Sequence, residues 1–259
     1  MNEYRFFDDN EELVNLLEDD GLAVIEEDFK DGRSFVVYAG KDLSAVFERF
    51  GARYEAKDVD DTGWDEKWKE YLRPGMLTES IGYYFDEKDR PEGLGILINP
   101  ALAFGTGTHP TTRIAASLAE PVVKGKTVLD AGCGSGILAI AASICGADKV
   151  YAFDIDPQAI PNALENIERN GVKNSEVWAG TLEGFRGEAD VIIANIISSV
   201  LLSINDEITS RKPEFIIYSG ILVSEMEEFL SKADLSGYEL EERVTINEWT
   251  GARFRLCSQ

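Results

Sequence analysis

Val128-Leu129-Asp130-Ala131-Gly132-Cys133-Gly134-Ser135-Gly136 reads as a short apolar strand running into three alternating glycines, and the stretch from Gly136 to Cys145 behind it has helical periodicity. Glycines at a strand-to-helix turn let a ligand approach the backbone closely, because no Cβ stands in the way. A tight turn with no ligand is the plain alternative, but three glycines are costly in chain entropy unless something must come near. Gly134-Ser135-Gly136-Ile137-Leu138-Ala139 also satisfies G-x-G-x-x-A, the fingerprint of a nicotinamide dinucleotide site, so glycine spacing alone admits that cofactor.

Two acidic residues bear on the choice. Asp130 puts a carboxylate at the strand end, where a pyrophosphate is repelled and a cofactor carrying an ammonium and a sulfonium is attracted. Asp154 lies 22 positions after Gly132, at the end of the next strand-like run, where a carboxylate can accept hydrogen bonds from ribose hydroxyls in either kind of cofactor. Asp156 is placed to cap the helix that follows. Asn195 ends another apolar strand, Val191 to Ala194, where its amide oxygen can orient an incoming amine or simply cap the next turn.

Outward from this loop the chain alternates strand and helix: strand-like Thr127 to Leu129, Lys149 to Phe153, the neighbourhood of Val177, Val191 to Ala194 and Phe215 to Tyr218, with helical patterns at 136–145, 158–170 and 198–210. Such alternation specifies βαβ units and a mostly parallel sheet that binds ligands at the carboxyl ends of its strands. Tyr238 to Thr245 and Ala252 to Leu256 have no helix between them and close the sheet as a hairpin, giving about seven strands. Pro161 inside a helical pattern implies a helix that starts later than Asp156-Pro157 suggests. Upstream, Ile81 to Phe85 and Gly95 to Ile98 read as paired strands around a polar turn. Residues 58–74, with Trp64, Trp68, Tyr71 and Leu72 at helical spacing, read as a linker helix whose aromatics pack against a neighbour. Residues 1–57 mix short helical and strand patterns, as a small α+β domain does. The expected division is therefore 1–57, a linker at 58–74, and an α/β domain over 75–259.

With 259 residues and 44% hydrophobic content, the chain can bury a full core. Its apolar runs fall short of the roughly 20 residues of a membrane span, and the first residues show no basic-then-apolar export signal, so a cytoplasmic location is expected. Three cysteines, Cys133, Cys145 and Cys257, show no metal-ligand spacing, which points to reduced thiols and no metal site. Cys133 reads as a small loop residue and not as a nucleophile. A net charge of −23 disfavours a broad nucleic-acid surface and suits a basic protein partner, although acidity serves solubility equally well.

The second informative stretch is Asn99-Pro100-Ala101-Leu102-Ala103-Phe104-Gly105-Thr106-Gly107-Thr108-His109-Pro110-Thr111-Thr112, where glycines and hydroxyls precede a helix start. Together with Leu129 to Gly136, Asp154-Ile155-Asp156-Pro157 and Ala194-Asn195-Ile196, in this order and spacing between about Trp64 and Trp249, it resembles the bacterial ribosomal protein L-eleven methyltransferases. Before Trp64 the chain is acidic, shorter than in many members, and does not match position by position.

The resemblance implies a Rossmann-like class I methyltransferase domain of seven strands, behind a small substrate-recognition domain and a linker, with S-adenosylmethionine as cofactor. It places Thr112, Gly132, Asp154 and Asn195 on the cofactor, alongside Asp130, Gly134 and Gly136 from the loop, and makes Phe104 and Thr106 walls of the methyl-transfer site. It further implies methyl transfer to a lysine or N-terminal amine of a ribosomal protein, although relatives also methylate other proteins, and a small-molecule amine or a non-catalytic adaptor role are the competing readings. His109, the only histidine, has an ordinary pKa suited to accepting the amine's proton. The plainer reading is a loop residue whose ring bonds the backbone.

Overall fold

The computed structural model describes residues 2–7, 10, 13, 14, 16, 17, 22, 24–29, 32–39, 42–58, 73–99 and 105–257. The chain falls into two compact units, Met1–Leu72 and Arg73–Gln259. The helix expected at 58–74 lies almost wholly outside the described residues.

In the first unit, strands β1 (Asn2–Phe6), β2 (Val24–Phe29), β3 (Gly32–Ala39) and β4 (Tyr54–Asp58) form one antiparallel sheet in the order β2-β3-β1-β4. Residues 13, 14, 16 and 17 are helical, and helix α1 spans Ser44–Arg49, so the chain runs βαββαβ. Alternate residues Tyr4 and Phe6 face inward with Phe35, Val37, Leu13, Leu17 and Phe47. Phe47 sits centrally in this core, with ring centroids 5.4 Å from Tyr4 and 4.8 Å from Tyr54.

The second unit opens with a small sheet of β5 (Gly75–Met76), β6 (Ile81–Tyr84) and β7 (Leu94–Leu97). A simple turn between β6 and β7 would make them antiparallel, yet they pair in parallel, Ile81 opposite Leu94. Glycines explain how the connection fits. Gly82 and Gly95 are register partners, and a Cβ on either would come within 2.7 or 2.8 Å of Pro91 Cγ, so the returning chain lies flat across the two strands.

The main sheet has seven strands: β8 (Thr127–Ala131), β9 (Lys149–Asp154), β10 (Ser175–Ala179), β11 (Val191–Asn195), β12 (Phe215–Leu222), β13 (Tyr238–Ile246) and β14 (Trp249–Leu256). Their order is β10-β9-β8-β11-β12-β14-β13, with β14 alone antiparallel to the rest, since β13 turns back through the hairpin into the common direction. Helices α2 (Pro110–Ala119), α3 (Ile137–Ile144), α4 (Ala159–Arg169), α5 (Ser198–Ser210) and α6 (Met226–Lys232) accompany it. The central strand β11 is buried along its whole length, as its unbroken apolar run requires. Helix α3 is buried from Ile137 to Ala142, consistent with residues that are apolar on every side. Pro161 lies in the first turn of α4, where its missing N–H has no helical acceptor to lose. On the far side of the sheet reversal, buried Arg253 donates to the Leu118 carbonyl at 2.8 Å and pairs with Glu241 and Glu242, tying the end of α2 to the hairpin. Among the described residues no helix is long and apolar enough to cross a membrane.

Candidate functional site

Strand order places the site. β8 and β11 are neighbours whose connections depart to opposite sides, and at such a switch point the carboxyl ends of the strands leave a crevice. Ending there are β8 with Gly132, β9 with Asp154, β11 with Asn195 and β12 beyond Ser219.

The glycine loop is held by backbone carbonyls and by the carboxylates of two neighbouring strands. Gly132, Gly134 and Gly136 have φ of 79°, 51° and 80°, all in the left-handed region that favours glycine. The amides of Gly132 and Cys133 both donate to the Phe153 carbonyl, and that of Gly136 to Cys133. The Gly134 N–H donates to Asp154 Oδ2 at 2.8 Å, while the other oxygen of Asp154 accepts from Asp156 N–H at 2.9 Å. The Ala139 N–H donates to Asp130 Oδ2 at 3.1 Å. A pyrophosphate site needs loop and helix amides facing the ligand. Here Gly134 and Ala139 give theirs to two carboxylates, and this inward turn separates the two cofactor readings that glycine spacing left open.

Asp130 is fully buried, and burial pushes its carboxyl up to about 7; the Ala139 N–H opposes the shift and the nearby charge of Asp154 adds to it. Its folded pKa is thus raised above that of the unfolded chain, so stability from this group is lost as pH rises from about 4 to about 7. Asp130→Asn removes that loss. The variant is expected to gain on the order of 4 kcal/mol relative to the parent between pH 4 and pH 8. Urea unfolding of both proteins at the two pH values measures it, and parallel stability curves would refute the assignment of the proton.

A second side of the crevice comes from the 105–112 segment. Buried Thr112, in the first turn of α2, meets buried Asn195 across the site, with Asn195 Nδ2 3.5 Å from Thr112 Oγ1. Ser219, the register partner of Asn195, donates to the Thr111 carbonyl at 2.9 Å and fixes this helix end on β12. Half-buried Thr106 shares a 3.0 Å hydroxyl contact with Thr108. Phe104 lies outside the described residues. His109 is the N-cap of α2: its Nδ1 lies 3.4 Å from the Thr111 N–H and 2.8 Å from Thr111 Oγ1, and its ring meets Trp249 edge-on at 5.1 Å. Burial lowers its pKa, against a smaller raising effect of Glu248. Cys133 is buried with its thiol pushed up, mainly by desolvation, which keeps it protonated and unreactive.

Two buried acceptors here, Asp130 Oδ1 and Asn195 Oδ1, have no hydrogen-bond partner among the described residues. Orphaned acceptors beside a carboxylate pair fit a ligand that brings N–H donors and positive charge. Sequence reasoning missed Ser219 and Gly220, whose part is to seat the neighbours of Asn195. A Cβ on Gly220 would lie 2.4 Å from the Ile196 carbonyl oxygen, and one on Gly132 would lie 2.7 Å from Ile196 Cγ2, so Ile196 is wedged between two glycines.

A loop that turns its amides toward its own carboxylates welcomes a cation and repels a phosphate; on a seven-stranded sheet in this order, the chain is a class I S-adenosylmethionine-dependent methyltransferase. Residues 16–256 match the family described as Ribosomal protein L11 methyltransferase (PrmA), a match that begins well upstream of Trp64. The chain belongs to that family. It is 34% identical over 91% of its length to the ribosomal protein L11 methyltransferase of Streptococcus pyogenes serotype M49, spanning 74% of that protein. Identity to the enzyme of the same name from Lactococcus lactis is 36%, over 82% of this chain and 70% of that one. The crystal structure of ribosomal protein L11 methylase from Lactobacillus delbrueckii subsp. bulgaricus superposes with a TM-score of 0.64 at 29% identity, covering 72% of this chain and all of that one.

Proposed function

We propose that this methyltransferase modifies amino groups of ribosomal protein L11, at lysine side chains or the N-terminal amine, and that Asp130, Gly132, Gly134, Gly136, Asp154, Thr112 and Asn195 hold its cofactor. The observation that carries the site assignment is the pair of unpartnered buried oxygens, Asp130 Oδ1 and Asn195 Oδ1, on adjacent strands of one edge. S-adenosylmethionine, when bound, supplies a methyl group on a positively charged sulfur. Asp130 faces its ammonium group, Asp154 its ribose hydroxyls, and Asn195 the incoming amine, with Thr106 and Phe104 as walls.

A lysine amine at pH 7 lies about 4–5 kcal/mol from its neutral form. Withdrawal from water beside a positive charge lowers that gap, whereas ionised carboxylates beside the nitrogen would widen it. Acidic residues therefore act away from the reacting atom. With a net charge of −23, the chain as a whole attracts a basic substrate. His109 is assigned to capping α2 in preference to taking the proton, because its Nδ1 already serves Thr111. The small α+β domain over residues 1–57 is assigned to substrate recognition.

The test is incubation with methyl-labelled cofactor and separated ribosomal proteins, followed by mass spectrometry. Label on L11 amines is the expected result; label confined to other proteins overturns the substrate. The same assay across pH on His109→Ala decides its role, since an unchanged profile leaves only the cap.

A further inference from the structure

Helix α4 and its C-cap carry three asparagines four residues apart, Asn162 and Asn166 in the helix and Asn170 at the cap, all turned toward the chain just before position 100. Asparagine is a poor helix former, and a buried amide is costly where its polar atoms lack partners; of these three, only Asn162 Oδ1 is buried with no partner among the described residues. Alanine or leucine would serve better if the face only packed. Asn170 instead accepts from the Leu97 N–H at 2.9 Å and donates to the Leu97 carbonyl at 2.8 Å, as a neighbouring strand would. Asn162 donates to the Asn99 carbonyl at 3.1 Å.

Asn166, with no exposed surface, does more than hold one strand end. Its Oδ1 accepts from Asn99 N–H at 2.7 Å while its Nδ2 donates to the Ser135 carbonyl at 2.9 Å, inside the glycine loop. Ser135 Oγ in turn donates to the Gly105 carbonyl at 2.5 Å. Asn99 and Gly105 thus flank positions 100–104, and both are tied to the same loop residue, one through Asn166 and one directly.

We infer that Asn166 is a positioning residue for methyl transfer: one side-chain amide fixes the distance between the cofactor loop and the segment that delivers Thr106 and Thr112. It acts through Ser135 and Asn99 and touches no reacting atom. This rests on the reading that the 132–136 loop carries the cofactor; failure of the parent protein to bind S-adenosylmethionine would sink both, whereas a parent that binds it beside an Asn166→Ala that behaves as the control would sink this inference alone.

The experiment compares Asn166→Ala with Asn205→Ala. Asn205 is equally buried and equally bonded, to Tyr218 and the Asp234 carbonyl, but belongs to α5 and has no bond to the site. Melting temperature, cofactor affinity by calorimetry, and kcat at saturating cofactor are read well below either transition. Asn166→Ala is expected to weaken cofactor binding about tenfold and lower kcat a further tenfold or more; Asn205→Ala should lose a similar amount of melting temperature with both values within twofold of the parent. Ser135→Ala, which cuts the second tie, should lower kcat about fivefold with little change in melting temperature, and it serves if Asn166→Ala does not fold. The inference is overturned if Asn166→Ala tracks Asn205→Ala in all three readings, or if Ser135→Ala leaves kcat unchanged.

Discussion

Replacing Asp154 with alanine is expected to raise the dissociation constant for S-adenosylmethionine by about 100-fold or more. The carboxylate has two duties. It receives the Gly134 and Asp156 amides at 2.8 and 2.9 Å, holding the glycine loop in its left-handed turns, and its remaining lone pairs are assigned to the ribose. A hydrogen bond to a charged group contributes about 1.5–3 kcal/mol, and a 100-fold change in affinity corresponds to about 2.7 kcal/mol, so losing two such interactions is sufficient. Asp154→Asn keeps one acceptor oxygen and should lose only about tenfold. Titration calorimetry on the three proteins checks both numbers, and affinities within threefold for Asp154→Ala would remove Asp154 from the site.

Gly220→Ala should be the most damaging single methyl group in the sheet. Gly220 has φ of 87°, and the added Cβ would stand 2.4, 2.9 and 3.2 Å from the oxygen, carbon and nitrogen of Ile196. Those are backbone atoms, so no side-chain rotation relieves the clash. Left-handed strain and overpacking together cost about 3 kcal/mol or more, which for a chain of this size lowers the melting temperature by roughly 6–12 °C. Gly237→Ala is the control: its φ is 88° but nothing lies within 4 Å of the new atom, so only the strain of about 1 kcal/mol remains. Because the clash moves the residue after Asn195, methyl transfer by Gly220→Ala should also fall more than tenfold well below its melting transition. Equal melting temperatures for the two variants would show that Ile196 yields freely.

The sheet is legible because its central strands β8, β11 and β12 are buried almost throughout and read as short apolar runs, interrupted by glycines and helical patterns. The loop was legible for the same local reason. Pairing partners distant in sequence were not. Nothing in residues 81–98 distinguishes a hairpin from the parallel pair, since the deciding contact is the Pro91 ring on two glycines. Gly220 is one of 23 glycines, and its constraint comes from Ile196, 24 positions away and just past the end of β11. Nothing in the sequence singles out Asn162, Asn166 and Asn170, because their partners lie at 97–99 and 135. The positions of Asp130 and Asp154 at strand ends mark them in the sequence as cofactor ligands, but their hold on the Ala139 and Gly134 amides appears only in three dimensions.

The placement of β14 between β12 and β13 has a further consequence for how the protein is made. This strand leaves the ribosome after every other described strand, yet it fills a gap inside the sheet. Gly251, whose place admits no Cβ beside Ile114 and the Tyr218 carbonyl, and Arg253, bonded to Leu118, belong to it, and both lie against α2. A nascent chain that has folded its first six strands of this sheet still lacks the strand that meets Ile114 and Leu118 of α2, the helix whose first turn carries Thr111 and Thr112. Cofactor binding therefore needs β14 in place, and ligand-dependent protease resistance should be absent from ribosome-bound chains ending before residue 249.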